Sequence, residues 1–212
     1  MVMGNQRFCA EQSGTAMVEM AIVLPLLLTL LLGFVDFGYA FYQWNAGNKA
    51  VQAGARLAQI STPVALGLPS ETITQSDVTK VGTAVPAGTY NYVCTASAAG
   101  VACCSIGGGA CQPSNASQAA FDAIYDGTAN RAGMHDFLST LKKSEVRIAY
   151  AASGLGYWTR PSGPVPTITT SITNHPFQFF FLGGLLGFNS ITMPSMLSTV
   201  TGEDMKSTWT SP

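Results

Sequence analysis

The sequence predicts an α+β protein in which a long N-terminal helix precedes a small domain of short helices and an antiparallel sheet. Two observations support this prediction. Met20 to Val35 contains no charged residue, and the last third of the chain holds segments rich in β-branched residues, separated by Gly- and Pro-containing loops. With 212 residues, the chain is long enough for one domain with a modest core, or for a small domain plus a membrane anchor.

The apolar run is long enough to cross a membrane as a helix. Extended back to Ala16 it covers about 20 positions, interrupted only by Glu19, which spans roughly 30 Å. Because no proline lies between Pro25 and Pro63, the predicted helix extends from about Thr15 to Ile60, roughly 65 to 70 Å, and half of it is expected to project from the membrane. Pro25 removes one backbone hydrogen bond, so it should bend or loosen the helix.

The second half of the predicted helix carries small residues along one face. Ala46, Ala50, Gly54 and Ala58 are spaced by four residues, so they form a ridge that allows another element to approach closely. The ridge is expected to pack on the sheet of its own domain. Packing against neighbouring subunits is the alternative.

Four cysteines lie close together downstream of the apolar run, at Cys94, Cys103, Cys104 and Cys111. An even cluster beyond a membrane segment predicts two disulfides in an oxidising compartment. Because a vicinal bridge is strained, Cys94 should pair with Cys103 or Cys104, and Cys111 with the other. The spacing lacks the paired short knuckles of a structural zinc site, so no metal is expected. Cys9 precedes the apolar run.

The rest of the chain is predicted to mix short helices and strands. A short helix is expected around 76–81, a second after an N-cap at Ser114 or Asn115, and a third over 134–143. Strands are predicted over 89–97 and at the segments that start at Glu145, Pro166 and Ser195.

An apolar, glycine-broken stretch lies between the last two predicted strands, from Pro176 to Ser190. It is too short for a second membrane span. We expect it to belong to the core or to an interface. A tip that dips into the bilayer is the alternative.

No set of convergent catalytic groups is evident, so no enzymatic activity and no cofactor are expected. His135 and His175 are isolated in sequence and are expected at the surface or at a helix end. The Gly107–Ala110 stretch lacks the lysine and helix of a phosphate loop. With a net charge of −1, the chain does not have the basic character of a nucleic-acid-binding protein.

The start of the apolar run carries a recognisable motif. Gly14, four further residues and Glu19 form a G-x4-E arrangement that looks like the processing site of type IV prepilins. The run from Gly14, with its early Pro25, the step Asp36–Gly38 and the later Gly54–Arg56, resembles the TadE-like pilus-assembly family, small pseudopilins of the Tad/Flp system.

The resemblance implies a pilin-like protein whose leader is cut by a dedicated peptidase. Residues 1–14 would be the leader, 15–60 the helix with its transmembrane part at about 16–35, and 61–212 an extracytoplasmic domain. Cleavage after Gly14 would create an ammonium on Thr15. In such assemblies the Glu19 carboxylate of one subunit neutralises the amine of its neighbour, so that Glu19 sets the stagger between subunits. The alternative is a Glu19 that only snorkels to the headgroups.

The implied function is structural, as a minor pilin or pseudopilin that assists assembly of a Tad/Flp pilus for adhesion or biofilm formation. Implied partners are the bacterial inner membrane, a prepilin peptidase, other Tad pilins and the inner-membrane assembly platform. The protein would be single-pass, with its C-terminal domain periplasmic or extracellular. Pro25, which recurs in the family, is expected to contribute to assembly.

Two other classes of protein fit parts of the sequence. One is a secreted binding protein with a signal peptide cleaved after Gly38–Ala40, although the apolar run exceeds the usual core length. A membrane-anchored form of such a periplasmic binding protein is a further alternative. The other class is a membrane-anchored periplasmic enzyme or thiol oxidoreductase that uses the cysteine cluster. The absence of a C-x-x-C motif argues against the oxidoreductase.

Overall fold

The computed structural model describes residues 12–72, 76–105, 111–161, 163–187, 190–203 and 205. The chain divides into two compact units. One contains the described residues up to Phe41 together with Gln178–Ile191, and the other contains Tyr42–Phe177 and the described residues from Thr192 onward. The predicted α+β class is confirmed. Cys9 and the glycine-rich stretch before Cys111 lie outside the described residues, and the predicted leader and domain boundaries stay predictions.

A single helix, α1 (Gln12–Ile60), contains the whole apolar run, with Pro25 inside it. It ends as predicted, because the N–H of Ser61 still bonds to the Leu57 carbonyl but Pro63 has no N–H to continue the ladder. Its most apolar stretch has a mean hydropathy of 2.4 and is 0% buried. Helix α1 is therefore long and apolar enough for a single-pass membrane anchor.

The second unit contains a five-stranded antiparallel sheet. Its order is β2-β1-β5-β6-β9. Four of these strands match the predicted segments, whereas β2 was not predicted. The strands of the chain are β1 (Asn91–Ser97), β2 (Gly100–Ser105), β3 (Gly127–Thr128), β4 (Arg131–Ala132), β5 (Val146–Ala151), β6 (Thr167–Ile172), β7 (Pro176–Phe177), β8 (Ile191–Thr192) and β9 (Met196–Thr201).

The ridge of small residues packs inside its own unit, as predicted. Ala50 and Ala58 are fully buried. A side chain at Gly54 would collide with Met134 and crowd Thr170 of β6, so only glycine allows this close approach. The central strands alternate buried and exposed positions, and Ile148 of β5 is fully buried.

The three further helices are short. They are α2 (Gln118–Tyr125), α3 (Met134–Phe137) and α4 (Leu182–Leu186). Helix α2 is capped by Ser117, whose hydroxyl accepts the N–H of Ala120, so the predicted caps at Ser114 and Asn115 were wrong. Those two residues lie in a 3₁₀ turn, Pro113–Asn115, and the helix predicted around 76–81 is the 3₁₀ turn Val78–Lys80.

Helix α3 is much shorter than the predicted 134–143. The chain leaves the helical conformation at Leu138, where φ is −133° and ψ is 88°. A turn then buries both Leu138 and Leu141, and the hydroxyl of Tyr125 donates to the Leu141 carbonyl at 2.6 Å. In this buried turn the N–H of Leu138 bonds to the Met134 carbonyl and the N–H of Leu141 bonds to the Leu138 carbonyl. The turn places two leucines in the core.

The structure pairs Cys94 with Cys103 and Cys104 with Cys111. This is one of the two arrangements that the sequence left open. Cys94 and Cys103 lie directly opposite each other on β1 and β2, and both are fully buried. The first disulfide therefore crosses the outer pair of strands in the sheet.

Candidate functional site

The residues of the predicted processing motif all lie on α1. Gly14, Thr15 and Glu19 are exposed, and a side chain added at Gly14 would meet nothing within 4 Å. Within the part of the chain that the structure describes, the Glu19 carboxylate has no hydrogen-bond or ion-pair partner. Glu19 is thus available to a partner outside this chain.

Over residues 16–35, apart from Glu19, the surface of α1 is almost entirely apolar. Large side chains such as Met17, Leu26, Leu30 and Phe34 are each at least half exposed. An exposed apolar surface of this extent indicates a membrane or protein contact, because water would oppose it. Pro25 is exposed on the same stretch, so the Ala21 carbonyl has no N–H donor from position 25.

A buried carboxylate, Asp36, interrupts the exposed apolar surface. Its side chain is fully buried and accepts three consecutive backbone N–H groups from the apolar stretch near the C-terminus. Phe180 donates to Oδ1 at 3.1 Å, Phe181 to Oδ2 at 3.1 Å, and Leu182 to Oδ2 at 2.8 Å. Asp36 therefore fastens the segment Gln178–Ile191, here called the apolar loop, to α1.

The N–H groups at the start of the helical turn in the apolar loop need a hydrogen-bond acceptor from elsewhere, because no described side chain of the loop caps this turn. Helix α4 begins after Phe181, whose side chain cannot cap the free N–H groups of a first turn. A carboxylate on α1 takes the place of the usual Ser, Thr, Asp or Asn cap. At the other end of α4, Gly187 adopts φ 75° and its N–H bonds to the Gly183 carbonyl at 3.0 Å.

Aromatic and apolar contacts extend this attachment on both sides of Asp36. The rings of Phe37 and Phe179 meet edge to face at 6.4 Å, and those of Tyr39 and Phe180 lie 4.9 Å apart. Towards the N-terminus, a groove of about 410 Å³ runs between α1 and the loop. It is lined by Pro25, Leu28, Thr29, Leu32, Phe181, Leu182 and Gly184.

The stretch Pro176–Ser190 was predicted to belong to the core or to an interface. Phe177 is buried, but the part of the stretch in the apolar loop does not lie in the core, and the interface stays a prediction. Phe180 is 63% exposed and Phe181 is 46% exposed, although both are large apolar residues. The loop clusters with the apolar part of α1 and not with the core of the second unit. Its large side chains thus extend the exposed apolar surface of α1.

The prediction that His175 lies at the surface was also wrong. His175 is 2% exposed, its Nδ1 lies 2.7 Å from Glu145 Oε2, and its Nε2 lies 3.3 Å from the hydroxyl of Thr140. The partners offset the cost of burying the imidazole. A hydroxyl, an imidazole and a carboxylate are thus aligned, and none of the three residues lines the groove beside α2 in the second unit or the groove beside the apolar loop.

A larger groove than the one beside the apolar loop lies in the second unit. It has a volume of about 730 Å³, is lined mainly by small residues of α2 and the turn after it, and has Arg131 as its charged lining residue. Among the described residues, no three His, Cys, Asp or Glu side chains come together in a way that could hold a metal ion. The polar residues that line this groove carry hydroxyl, amide and guanidinium groups, and its lining includes no His, Cys, Asp, Glu or Lys.

Sequence reasoning found the motif residues but missed Asp36 as a site residue. Its partners are more than 140 positions away in the sequence, so no local spacing could connect them. Two signals were present: an acid immediately after a charge-free run, and an apolar loop with glycines but no capping side chain before its helical turn.

Comparison with known proteins gives one match. The model of a family described as TadE-like protein matches residues 14–56. The matched segment includes the motif residues Gly14 and Glu19, and it includes Asp36. No curated protein and no solved structure matches the chain. The resemblance to the TadE-like pilus-assembly family is thus confirmed over this segment, and it suggests a protein associated with the Tad pilus.

Proposed function

We propose that the protein is a minor pilin or pseudopilin that assists assembly of a Tad/Flp pilus used in adhesion or biofilm formation. The observation that carries the proposal is the G-x4-E motif of Gly14 and Glu19 at the start of an exposed apolar helix, inside the TadE-like segment. The TadE-like family is a structural family of pilus components, which favours an assembly role over catalysis.

Processing would occur between Gly14 and Thr15. A prepilin peptidase would cleave this bond on the cytoplasmic face and leave α1 in the inner membrane, with the second unit on the periplasmic or extracellular side. Gly14 supports this step because it has no side chain and open space around it, so the peptidase can approach the bond closely. The two disulfides are consistent with an oxidising compartment.

Assembly would depend on Glu19. A carboxylate among lipid tails is costly, so a partner charge from a neighbouring subunit is strongly favoured. The new ammonium on Thr15 of the neighbour would supply that charge. Glu19 would therefore favour only those arrangements of subunits in which the two charges meet. Pro25, six residues further along α1, would let the helix bend locally as subunits pack.

The proposal is tested by determining the N-terminus of the mature protein. Membranes from cells with an intact Tad system are analysed by mass spectrometry, and the expected N-terminal residue is Thr15. A Gly14→Leu variant in the same cells is the matched control and should keep its leader, because the peptidase would no longer accept the bond. A start at Phe41 would indicate a signal peptide instead, and an uncut chain would contradict prepilin processing.

A further inference from the structure

The geometry points to a second membrane-inserted element: residues 178–187 of the apolar loop enter the outer half of the bilayer beside α1 and are held there by Asp36. The inference rests on the membrane anchor of the proposed function, but it concerns a part of the chain outside the TadE-like segment. Its partner is lipid, and the contact is made by acyl chains.

The depth of the loop follows from its contacts with α1. It borders the helix from Asp36 back to Pro25, because the groove between them is lined at one end by Pro25 and the Asp36 bonds close the other end. Eleven helical steps correspond to about 16 Å along the helix axis. The hydrocarbon core is about 30 Å thick, so the loop would reach roughly its middle.

The composition of the loop matches this environment. From Pro176 to Gly202 the chain has no Asp, Glu, Lys or Arg, although such residues dominate ordinary exposed loops. Phe180 and Phe181 are exposed in the structure and would face water if the loop were not inserted. On α1, Phe34, Phe37 and Phe41 are also exposed, so the helix surface near Asp36 is apolar as well.

Unsatisfied backbone N–H and C=O groups are the main obstacle to placing a non-helical loop in lipid. At the turn before α4, Asp36 accepts hydrogen bonds from the N–H groups that would otherwise be unsatisfied. Irregular backbone is tolerated at membrane depth only where its polar groups are satisfied within the protein. The three N–H groups of Phe180, Phe181 and Leu182 have no helical partner, and the Asp36 carboxylate accepts all three. In return, the three donors satisfy a carboxylate that would otherwise be costly beside the hydrocarbon.

The lining of the groove between α1 and the loop favours lipid as the occupant. Its walls are mainly apolar, and Thr29, its hydroxyl-bearing lining residue, donates its hydroxyl to the Leu26 carbonyl. No lining residue is charged. Pro25 and Leu28, which line the groove, belong to the exposed apolar surface of α1, and this is the surface that the anchor presents to acyl chains. An acyl chain can therefore enter it without displacing any polar group.

The experiment measures lipid contact of single labelled cysteines in the full chain, reconstituted in phosphatidylcholine–phosphatidylglycerol vesicles. A Cys9→Ser background leaves the four disulfide cysteines paired. NBD is attached at Phe180→Cys in the loop, with Phe34→Cys as the membrane reference and Val78→Cys, an 81% exposed position, as the aqueous reference. Nitroxide lipids and aqueous iodide are then used as quenchers.

The inference predicts that the Phe180 probe loses emission to nitroxide lipid to the same extent as the Phe34 probe and resists iodide like it. If Phe34 is quenched by lipid but Phe180 behaves like Val78, the loop lies in water and the inference is overturned while the anchor stands. If Phe180 is shielded from both quenchers, another protein copy covers it and lipid is not the occupant. If Phe34 itself is not quenched by lipid, the membrane anchor fails as well.

The role of Asp36 is tested with Asp36→Ala in the same labelled chains. Removal of the acceptor leaves three N–H groups unsatisfied, so the Phe180 probe should lose its lipid quenching and gain iodide quenching. The Phe34 probe should not change, which shows that the variant still inserts. Asp77→Ala, at a carboxylate of the second unit that is 43% exposed, is the matched control and should change neither probe. Unchanged lipid quenching of Phe180 in Asp36→Ala would overturn the role of Asp36.

Discussion

The imidazole of His175 and the carboxylate of Glu145 form a buried pair in which Nδ1 and Oε2 are 2.7 Å apart. Glu145 immediately precedes β5 and His175 closely follows β6, so the pair joins the ends of two adjacent strands. Glu145 Oε2 also accepts the backbone N–H of Lys142 at 3.1 Å. One carboxylate thus fixes both the turn before β5 and the chain after β6.

We therefore predict that Glu145→Ala lowers the free energy of unfolding by about 1 to 3 kcal/mol, because a buried ring nitrogen and a backbone N–H lose their partner. Thermal unfolding of the detergent-solubilised full chain, followed by circular dichroism, measures the change. Glu203→Ala removes an exposed carboxylate and is the control, with a change within about 0.5 kcal/mol. Equal effects of the two variants would contradict a structural role for the pair.

A second prediction concerns the close approach of α1 to its own sheet. In Gly54→Ala the new methyl group would press on Met134 and Thr170, which are both fully buried. Overpacking of this kind costs about 1 to 3 kcal/mol. The control is Gly38→Ala, which lies on the same helix with nothing within 4 Å of the new atom. The same unfolding assay should show a lower melting temperature for Gly54→Ala alone, and a drop of equal size in both variants would argue against the contact.

A third prediction separates the two disulfides. Each closes a short loop, so loss of either should cost about 2.5 kcal/mol through the entropy of the unfolded chain. Replacement of both Cys94 and Cys103 with serine should cost more than that, because it also buries two hydroxyl groups in the sheet. The double serine variant of Cys104 and Cys111 is the control, since Cys111 is exposed. Similar melting temperatures for the two double variants would show that burial of the two serine hydroxyl groups adds no cost to the loss of the disulfide.

Much of this fold was predictable because its patterns are local. The charge-free run and the absence of proline define α1, and β-branched residues at alternating positions define β5, β6 and β9. Strand β2 escaped prediction because its sequence, Gly100–Ser105, consists mainly of small residues and cysteines. Its pairing with β1 and the buried Cys94–Cys103 disulfide, which local propensity does not report, hold it in the sheet.

Only those parts of the candidate site whose residues lie close together in the sequence could be predicted. The spacing from Gly14 to Glu19 is visible in the sequence, and so is the apolar face that follows. The bonds from Asp36 to Phe180 and Leu182 depend on the path of the whole chain between them. His175 was misjudged for the same reason, since its partner Glu145 lies 30 positions away.

A fourth prediction concerns pH. Burial pushes the pKa of Asp122 upward, but hydrogen bonds from Lys143 and Gln118 outweigh it and hold that pKa below its ordinary value of 3.8. The hydrogen bonds to Asp122 and Asp126 raise the pKa of Lys143. A carboxylate with a lowered pKa in the folded state stabilises the fold above the unfolded pKa and loses this contribution as pH falls through the folded value.

Lys143→Met should therefore make the stability of the protein less sensitive to pH between about 5 and 2. The difference at pH 7 should be below about 1 kcal/mol, because the side chains are 35% to 53% exposed. Melting temperatures of the two proteins are compared across this range. Lys80→Met, at a more exposed ion pair, is the control and should have a smaller effect. Parallel curves for Lys143→Met and the parent chain would contradict the prediction.

The last prediction tests Glu19 as the residue that sets the stagger between subunits. Glu19→Gln keeps the size and hydrogen-bonding capacity of the side chain but removes its charge, and the amide is less costly than the carboxylate among lipid tails. Insertion of α1 and cleavage after Gly14 should therefore proceed, while pilus formation is lost because no charge remains to pair with Thr15 of the neighbour. Immunoblots of membranes measure processing, and electron microscopy of the cells measures pili. Asp77→Asn, which neutralises a partly exposed carboxylate far along the chain, should leave processing and piliation unchanged. Normal piliation in Glu19→Gln cells would mean that Glu19 only reaches to the headgroups, since a snorkelling residue needs no charged partner.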